Sequence, residues 1–166
     1  MSAQIVMQAT PYLFRALATH TQLTYVKLTN ISFPEIGVST NGLVRPFNIP
    51  FIPSLQHLYL GQSTFLAAHT LARFLLLSLY PDSQARTIQK VHLVDVYEGS
   101  IWGPRLRMPR IIGAAQALLS MEQQASQTQP SEGDIQRRID ELSDAIENLV
   151  SVMVETERIE GGDRGY

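Results

Sequence analysis

Leu55-Gln-His-Leu-Tyr-Leu-Gly-Gln-Ser-Thr-Phe65 carries apolar residues at relative positions 1, 4, 6 and 11. In an extended chain alternate side chains lie on opposite faces, so positions 4 and 6 point into a core beneath a sheet while 3, 5 and 7 point out of it. Position 1 closes the inner layer as the chain enters the strand, and position 11 turns back under it. The same template fits Leu23-Thr-Tyr-Val-Lys-Leu-Thr-Asn-Ile-Ser-Phe33, and it fits Ile88-Gln-Lys-Val-His-Leu-Val-Asp-Val-Tyr-Glu98 with a glutamate in the last place. The starting residues Leu23, Leu55 and Ile88 stand 32 and 33 positions apart. A weaker fourth copy begins at Leu149, with Val152, Val154 and Ile159 at the matching places.

This is the spacing of a leucine-rich-repeat strand. One such unit cannot bury its own apolar face, so it is stable only when neighbours stack on it. The expected fold is therefore α/β: a short irregular leucine-rich-repeat-like solenoid, with a parallel sheet of three to four strands and helices on the other face. The whole chain, 1–166, reads as a single domain with a linker at 124–131.

Composition narrows the function classes. A chain of 166 residues, 45% of them hydrophobic, can bury the core of one domain. A net charge of −2 with 17% charged residues gives no field suited to tracking phosphates, so no nucleic-acid partner is expected. With no cysteine, disulfides, thiolate metal sites and cysteine nucleophiles are excluded. The N-terminus, Met1-Ser-Ala-Gln-Ile-Val-Met7, lacks a basic segment followed by a sustained apolar run, so an intracellular protein, cytoplasmic or nuclear, is expected. The apolar run from Phe65 to Tyr80 is interrupted by His69, Thr70, Arg73 and Ser78 and falls short of the ~20 residues that span a bilayer, so no membrane contact is expected.

Between the strands the sequence predicts several further elements. Thr10 and Pro11 open a helix to about His20 whose apolar face is Leu13, Phe14 and Leu17. After the first strand, prolines at 34, 46, 50 and 53 with Gly37 and Asn41-Gly42 exclude a long helix or a paired strand. A loop is expected there, with Ile49, Phe51 and Ile52 tucked into the core. The second strand, Gln56 to Leu60, leads through Ser63 or Thr64 as cap into a helix from Phe65 to about Leu79 that is apolar on more than one face. The third strand, Gln89 to Val96, is followed by an irregular stretch holding Trp102, read as a core plug at the end of the sheet in preference to a ligand anchor. Arg105, Arg107 and Arg110 come next, either a solvated basic turn or a site for an acidic partner.

A helix from about Pro109 to Gln123 places Ile111, Ala115, Leu118 and Met121 on one side. Ser131 and Asp134 open another, in which Ile135, Ile139, Leu142, Ile146 and Leu149 alternate in steps of four and three. From there Val150, Val152 and Val154 alternate with Ser151, Met153 and Glu155, a strand-like period carried to about Glu157 and ended by Gly161-Gly162.

Stacking the copies in register sets Tyr25 and Lys27 beside His57 and Tyr59, and these beside Lys90 and His92, as a candidate partner-binding patch on the outward face. Tyrosine and histidine offer apolar bodies with polar tips, and the lysines favour an acidic ligand. No catalytic or metal-ligating set is predicted: the four histidines, at 20, 57, 69 and 92, have no metal-ligand spacing, and neither a phosphate loop nor a nucleophile elbow is present. The chain therefore reads as a non-enzymatic protein-binding module, without cofactor and monomeric in isolation. A second reading is a structural module that self-associates through the Phe65 to Leu79 helix or the 135–149 stripe, and a third is a small hydrolase, which needs a deep pocket gathering His57 or His92 with a serine and a carboxylate.

The strand segments Leu23 to Phe33 and Pro53 to Phe65, together with His92 to Arg107 and Thr156 to Arg164, resemble the C-terminal leucine-rich portion of fungal F-box proteins. Ile101-Trp-Gly-Pro-Arg-Leu-Arg107 and Glu157-Arg-Ile-Glu-Gly-Gly-Asp163 carry most of that likeness. The resemblance implies a substrate-recruiting solenoid within a ubiquitin ligase adaptor, with no catalytic residues to transfer. No recognisable F-box stands before Leu23, so it reaches only the recognition portion.

Overall fold

Strand-like alternation, interrupted by three helical stretches, builds a parallel sheet whose core is shared with the helices. The computed structural model describes residues 13, 15–33, 36–38, 44–46, 49, 52, 54–79, 88–98, 103–125 and 131–153. In chain order the elements are β1 (Tyr25–Thr29), β2 (Ile36–Val38), β3 (Val44–Pro46), β4 (His57–Phe65), α1 (Ala68–Leu79), β5 (Lys90–Tyr97), α2 (Met108–Ala125), α3 (Glu132–Leu149) and β6 (Val150–Met153). Strands β1, β4, β5 and β6 form one four-stranded sheet in that order, all pairs parallel.

The three copies of the eleven-residue template stand side by side in register. Val26, Leu58 and Val91 share one inward row, and Leu28, Leu60 and Leu93 the next. All six are buried, and they form one cluster with Leu71 and Leu75 of α1, Ile111 and Ala115 of α2, and Leu142 and Ile146 of α3. The hydrogen bonding repeats too. The Thr24 carbonyl accepts from the N–H groups of Gln56 and His57, and the Gln56 carbonyl accepts from those of Gln89 and Lys90. At the eighth place each copy turns left-handed, at Asn30 (φ 55°), Gln62 (φ 31°) and Asp95 (φ 52°). Asparagine and aspartate tolerate that backbone better than other non-glycine residues.

The second copy departs from the other two. A register shift between Gly61 and Thr64 leaves Ser63 as a further left-handed residue (φ 59°), a bulge that adds one residue to this rung. The interior slot filled by Phe33 in the first copy is taken by Leu66 rather than Phe65: the Phe33 N–H donates to the Phe65 carbonyl, and the Leu66 N–H makes the equivalent bond to Tyr97. Phe65 instead tilts against the Tyr97 ring, 5.9 Å between centroids. Ser63 and Thr64 are therefore strand residues and not helix caps, and the buried Thr64 hydroxyl donates to the Gly61 carbonyl at 2.6 Å. The helix starts later than expected, with the Ala67 carbonyl accepting from Thr70 and Leu71.

The 30–56 segment keeps Ile49 and Ile52 in the core as expected, but it is not free of paired strands, since β2 and β3 form a short antiparallel ribbon. Phe51 and Asn41-Gly42 lie outside the described residues, as do Trp102, residues 126–130 and everything after Met153. Before β1, Arg15 to Ala18 are helical, and Leu13 and Leu17 pack against the core.

Helix α3 opens as its sequence predicts: the Ser131 hydroxyl accepts from the Asp134 N–H and donates to the Asp134 carboxylate. Its stripe turns inward at Leu142, Ile146 and Leu149, all fully buried, so the C-terminal half of the heptad pattern serves the chain's own core. Helix α2 runs on to Ala125, into the stretch expected to be linker, and Met121 is exposed rather than aligned with the buried Ile111 and Ala115. Strand β6 follows α3 without a loop, with Val150 beside Val91 and Val152 beside Leu93. The fourth strand is thus real but set two residues away from the expected register, which had Val152 and Val154 in those rows.

Two outcomes test this packing. Leu60→Ala, at a fully buried site, lowers unfolding free energy by about 3 kcal/mol in urea titration, whereas Leu77→Ala, at a position 58% exposed, changes it by less than about 0.5 kcal/mol.

Candidate functional site

The outward face is set by the register that makes the core. Row three holds Tyr25, His57 and Lys90 side by side, and row five holds Lys27, Tyr59 and His92, continued by Ser151 of β6. All six residues singled out from the sequence therefore come together on adjacent strands. Tyr25 and Lys27 are exposed, and His57, Tyr59, Lys90 and His92 are partly so.

Tyr59 is the centre of the cluster. The Lys27 ammonium stands 4.7 Å from its ring centroid, within cation–π range, and the His92 ring lies 6.4 Å away, tilted by 35°. The Tyr59 ring also leans over Gly61, two residues along on the same face, and fills the space a Cβ would need there. Gly61 thus permits the tyrosine to lie along the strand. The Lys90 ammonium reaches the Asn148 carbonyl at 3.5 Å, in the last turn of α3, where the helix dipole favours a cation.

The six candidate residues leave out one row of this face. Position 7 brings Thr29, Gly61, Val94 and Met153 into a third row, in which Gly61 and Val94 are buried. Met153 is 51% exposed and extends the surface onto β6. None of the eleven residues in these rows is acidic.

The nearby carboxylates are engaged at the C-terminal ends of the strands. Arg105 pairs with the buried Asp95 at 3.6 Å and lies over the Tyr97 ring, 5.8 Å from its centroid. Arg110 grips Glu98 with Nε and Nη2, and that bidentate hydrogen bond, with the charge of the carboxylate, raises the Arg110 pKa above the ordinary arginine value. Of the basic triplet, then, two residues bind the chain's own carboxylates, and the mostly buried Arg105 is not part of a solvated turn. These pairs fasten the chain after β5 back onto the strand, where Tyr97 bridges Arg105 and the Leu106 N–H donates to the Val96 carbonyl at 2.7 Å.

A cleft of about 510 Å³ lies between the three helices, lined by Leu76 and Leu77 of α1, Leu118 and Leu119 of α2, and Arg138 and Glu141 of α3 among others. It contains none of the six sheet residues and no histidine. Among the described residues no group of three or more His, Asp or Glu side chains could hold a metal ion, and no helix is long and apolar enough to cross a membrane. Comparison with protein-family models, curated proteins and solved structures finds no match for this chain.

The Tyr59–Gly61 contact has a direct test. Gly61→Ala drives the Tyr59 ring off the strand and away from Lys27 and His92, so the His92 imidazole resonances lose their ring-current shift in NMR spectra while the far-ultraviolet circular dichroism stays that of the parent.

Proposed function

We propose that this chain is a short leucine-rich-repeat-type solenoid module that binds a protein partner through Tyr25, Lys27, His57, Tyr59, Lys90 and His92. In this reading it is the substrate-recognition part of an F-box-type ubiquitin ligase adaptor. The observation that carries the proposal is the recurrence of one rung: the same inward rows and the same left-handed residue at position 8 in each of three copies, with the same shared carbonyl at position 2 in the first two. Stacked rungs of this kind generate a continuous outward surface, and repeat proteins use such surfaces for binding. The residue types fit a protein ligand. Tyrosine supplies rigid contact area at small entropic cost, and the lysines and histidines supply directional donors.

The adaptor assignment rests on the sequence resemblance, and the binding assignment rests on the face itself, so one experiment separates them. In affinity purification followed by quantitative mass spectrometry, Tyr59→Ala combined with Lys90→Ala loses the partners retained by the parent protein, and its thermal unfolding moves by no more than a few degrees. An unchanged set of partners removes the face from consideration. Partners without any ubiquitin-ligase component remove the adaptor reading and leave the binding reading intact.

A further inference from the structure

We infer that the partner segment is an extended, carboxylate-rich stretch of polypeptide lying across the strands, and that His57 and His92 make its capture stronger as pH falls. This rests on the outward face being the binding surface. The cation-forming groups are not scattered over it. Lys27 stands on β1, His57 on β4, and Lys90 and His92 on β5, confined to rows three and five. The next row, Thr29, Gly61, Val94 and Met153, is uncharged. The basic band therefore runs transverse to the strands. With strands ~4.8 Å apart, the path from β1 to β6 is about 14 Å, the length of four or five extended residues.

Neutral and cationic side chains flank the two imidazoles on the sheet face. His57 has Tyr25 beside it on β1 and Lys90 beside it on β5, with Tyr59 next on its own strand face. His92 has Tyr59 on β4, Ser151 on β6 and Lys90 next on its own strand face. From α3 the Asn148 carbonyl accepts from Lys90. Lys27 reaches toward Tyr59, between the two histidines. No carboxylate occupies any outward position of the four strands, and Asp95 and Glu98 face Arg105 and Arg110 instead. Imidazole is the side chain whose charge ordinarily changes between pH 5 and 8. Protonation of both would take the band from two positive charges to four, with the compensating negative charge supplied by the ligand.

The test uses two fluorescein-labelled eight-residue peptides that alternate glycine with glutamate or glycine with glutamine, titrated with the full chain by fluorescence anisotropy. The glutamate peptide is expected to bind about tenfold more tightly at about pH 6 than at about pH 8, and the glutamine peptide not to bind. His57→Gln with His92→Gln is expected to abolish the pH dependence. Lys27→Ala with Lys90→Ala is expected to remove binding at the higher pH.

Equal affinity of the parent protein for the glutamate peptide at both pH values overturns the inference, as does equal affinity for the two peptides or binding of neither. Those outcomes leave the protein-binding reading standing. Glutamate-peptide binding that survives Tyr59→Ala with Lys90→Ala places the contact elsewhere and overturns both.

Discussion

The register of β1 against β4 and of β4 against β5 is the constraint on which the molecule depends. Each strand is too short to bury its apolar face alone, and only lateral stacking gives Leu28, Leu60 and Leu93 a common interior. Because side chains alternate with a period of two, a slip of one residue would send these leucines to solvent and bring Lys27, Tyr59 and His92 into the core. Burying those polar groups without partners would cost several kcal/mol. The core and the outward cluster are therefore two consequences of one choice, and the hydrophobic term that fixes the first positions the second.

How much of this was legible from the residues follows from the same physics. The lateral neighbours of Tyr25, Lys27, His57, Tyr59, Lys90 and His92 could be read because three copies share one template, and parallel pairing carries the template offset straight into space. The fourth strand was legible in kind but not in register. Val150, Val152 and Val154 satisfy a period of two in any of several alignments, and what selects Val150 is that α3 ends directly into the strand, with the Val150 N–H still donating to the Ile146 carbonyl. The inserted residue, Ser63, left no signal, because it is not a glycine and adopts positive φ only within the bulge. Hence Phe65 looked like the interior residue although Leu66 takes that place. The β2–β3 ribbon was hidden by its prolines and glycine, which exclude long elements but tolerate three-residue strands.

The arginine cluster shows why a local charge pattern is a weak guide to a partner site. Arg105, Arg107 and Arg110 are close in sequence, yet what they meet depends on the chain folding back after β5. That return is set by the Tyr97 bridge and by the burial of Leu106. Asp95 stands at the left-handed position of its rung, where aspartate is among the few residues that adopt the backbone readily. Its carboxylate, 1% exposed, is then carried inward and needs a cation, which Arg105 provides. A repeat-determined backbone feature thus recruits an arginine that composition alone would have assigned to solvent.

The consequence for the sheet face is electrostatic. A chain whose formal net charge is −2 nevertheless presents, among the described residues of its sheet face, two lysines, two histidines and no carboxylate. The separation is achieved by placement, with Asp95 and Glu98 held beyond the last outward row by arginines of the returning segment, and the acidic residues Asp134, Asp140, Asp144 and Glu147 carried on α3 rather than on the strands. Screening at physiological salt limits charge interactions to about 8 Å, so what governs an approaching segment is this local arrangement and not the sign of the whole molecule. Moving a single carboxylate onto row three or five, beside Lys90 or Lys27, would neutralise the band from within and leave the packing of Leu60 and Leu93 untouched, because the two faces of a strand share a backbone but not a solvent environment.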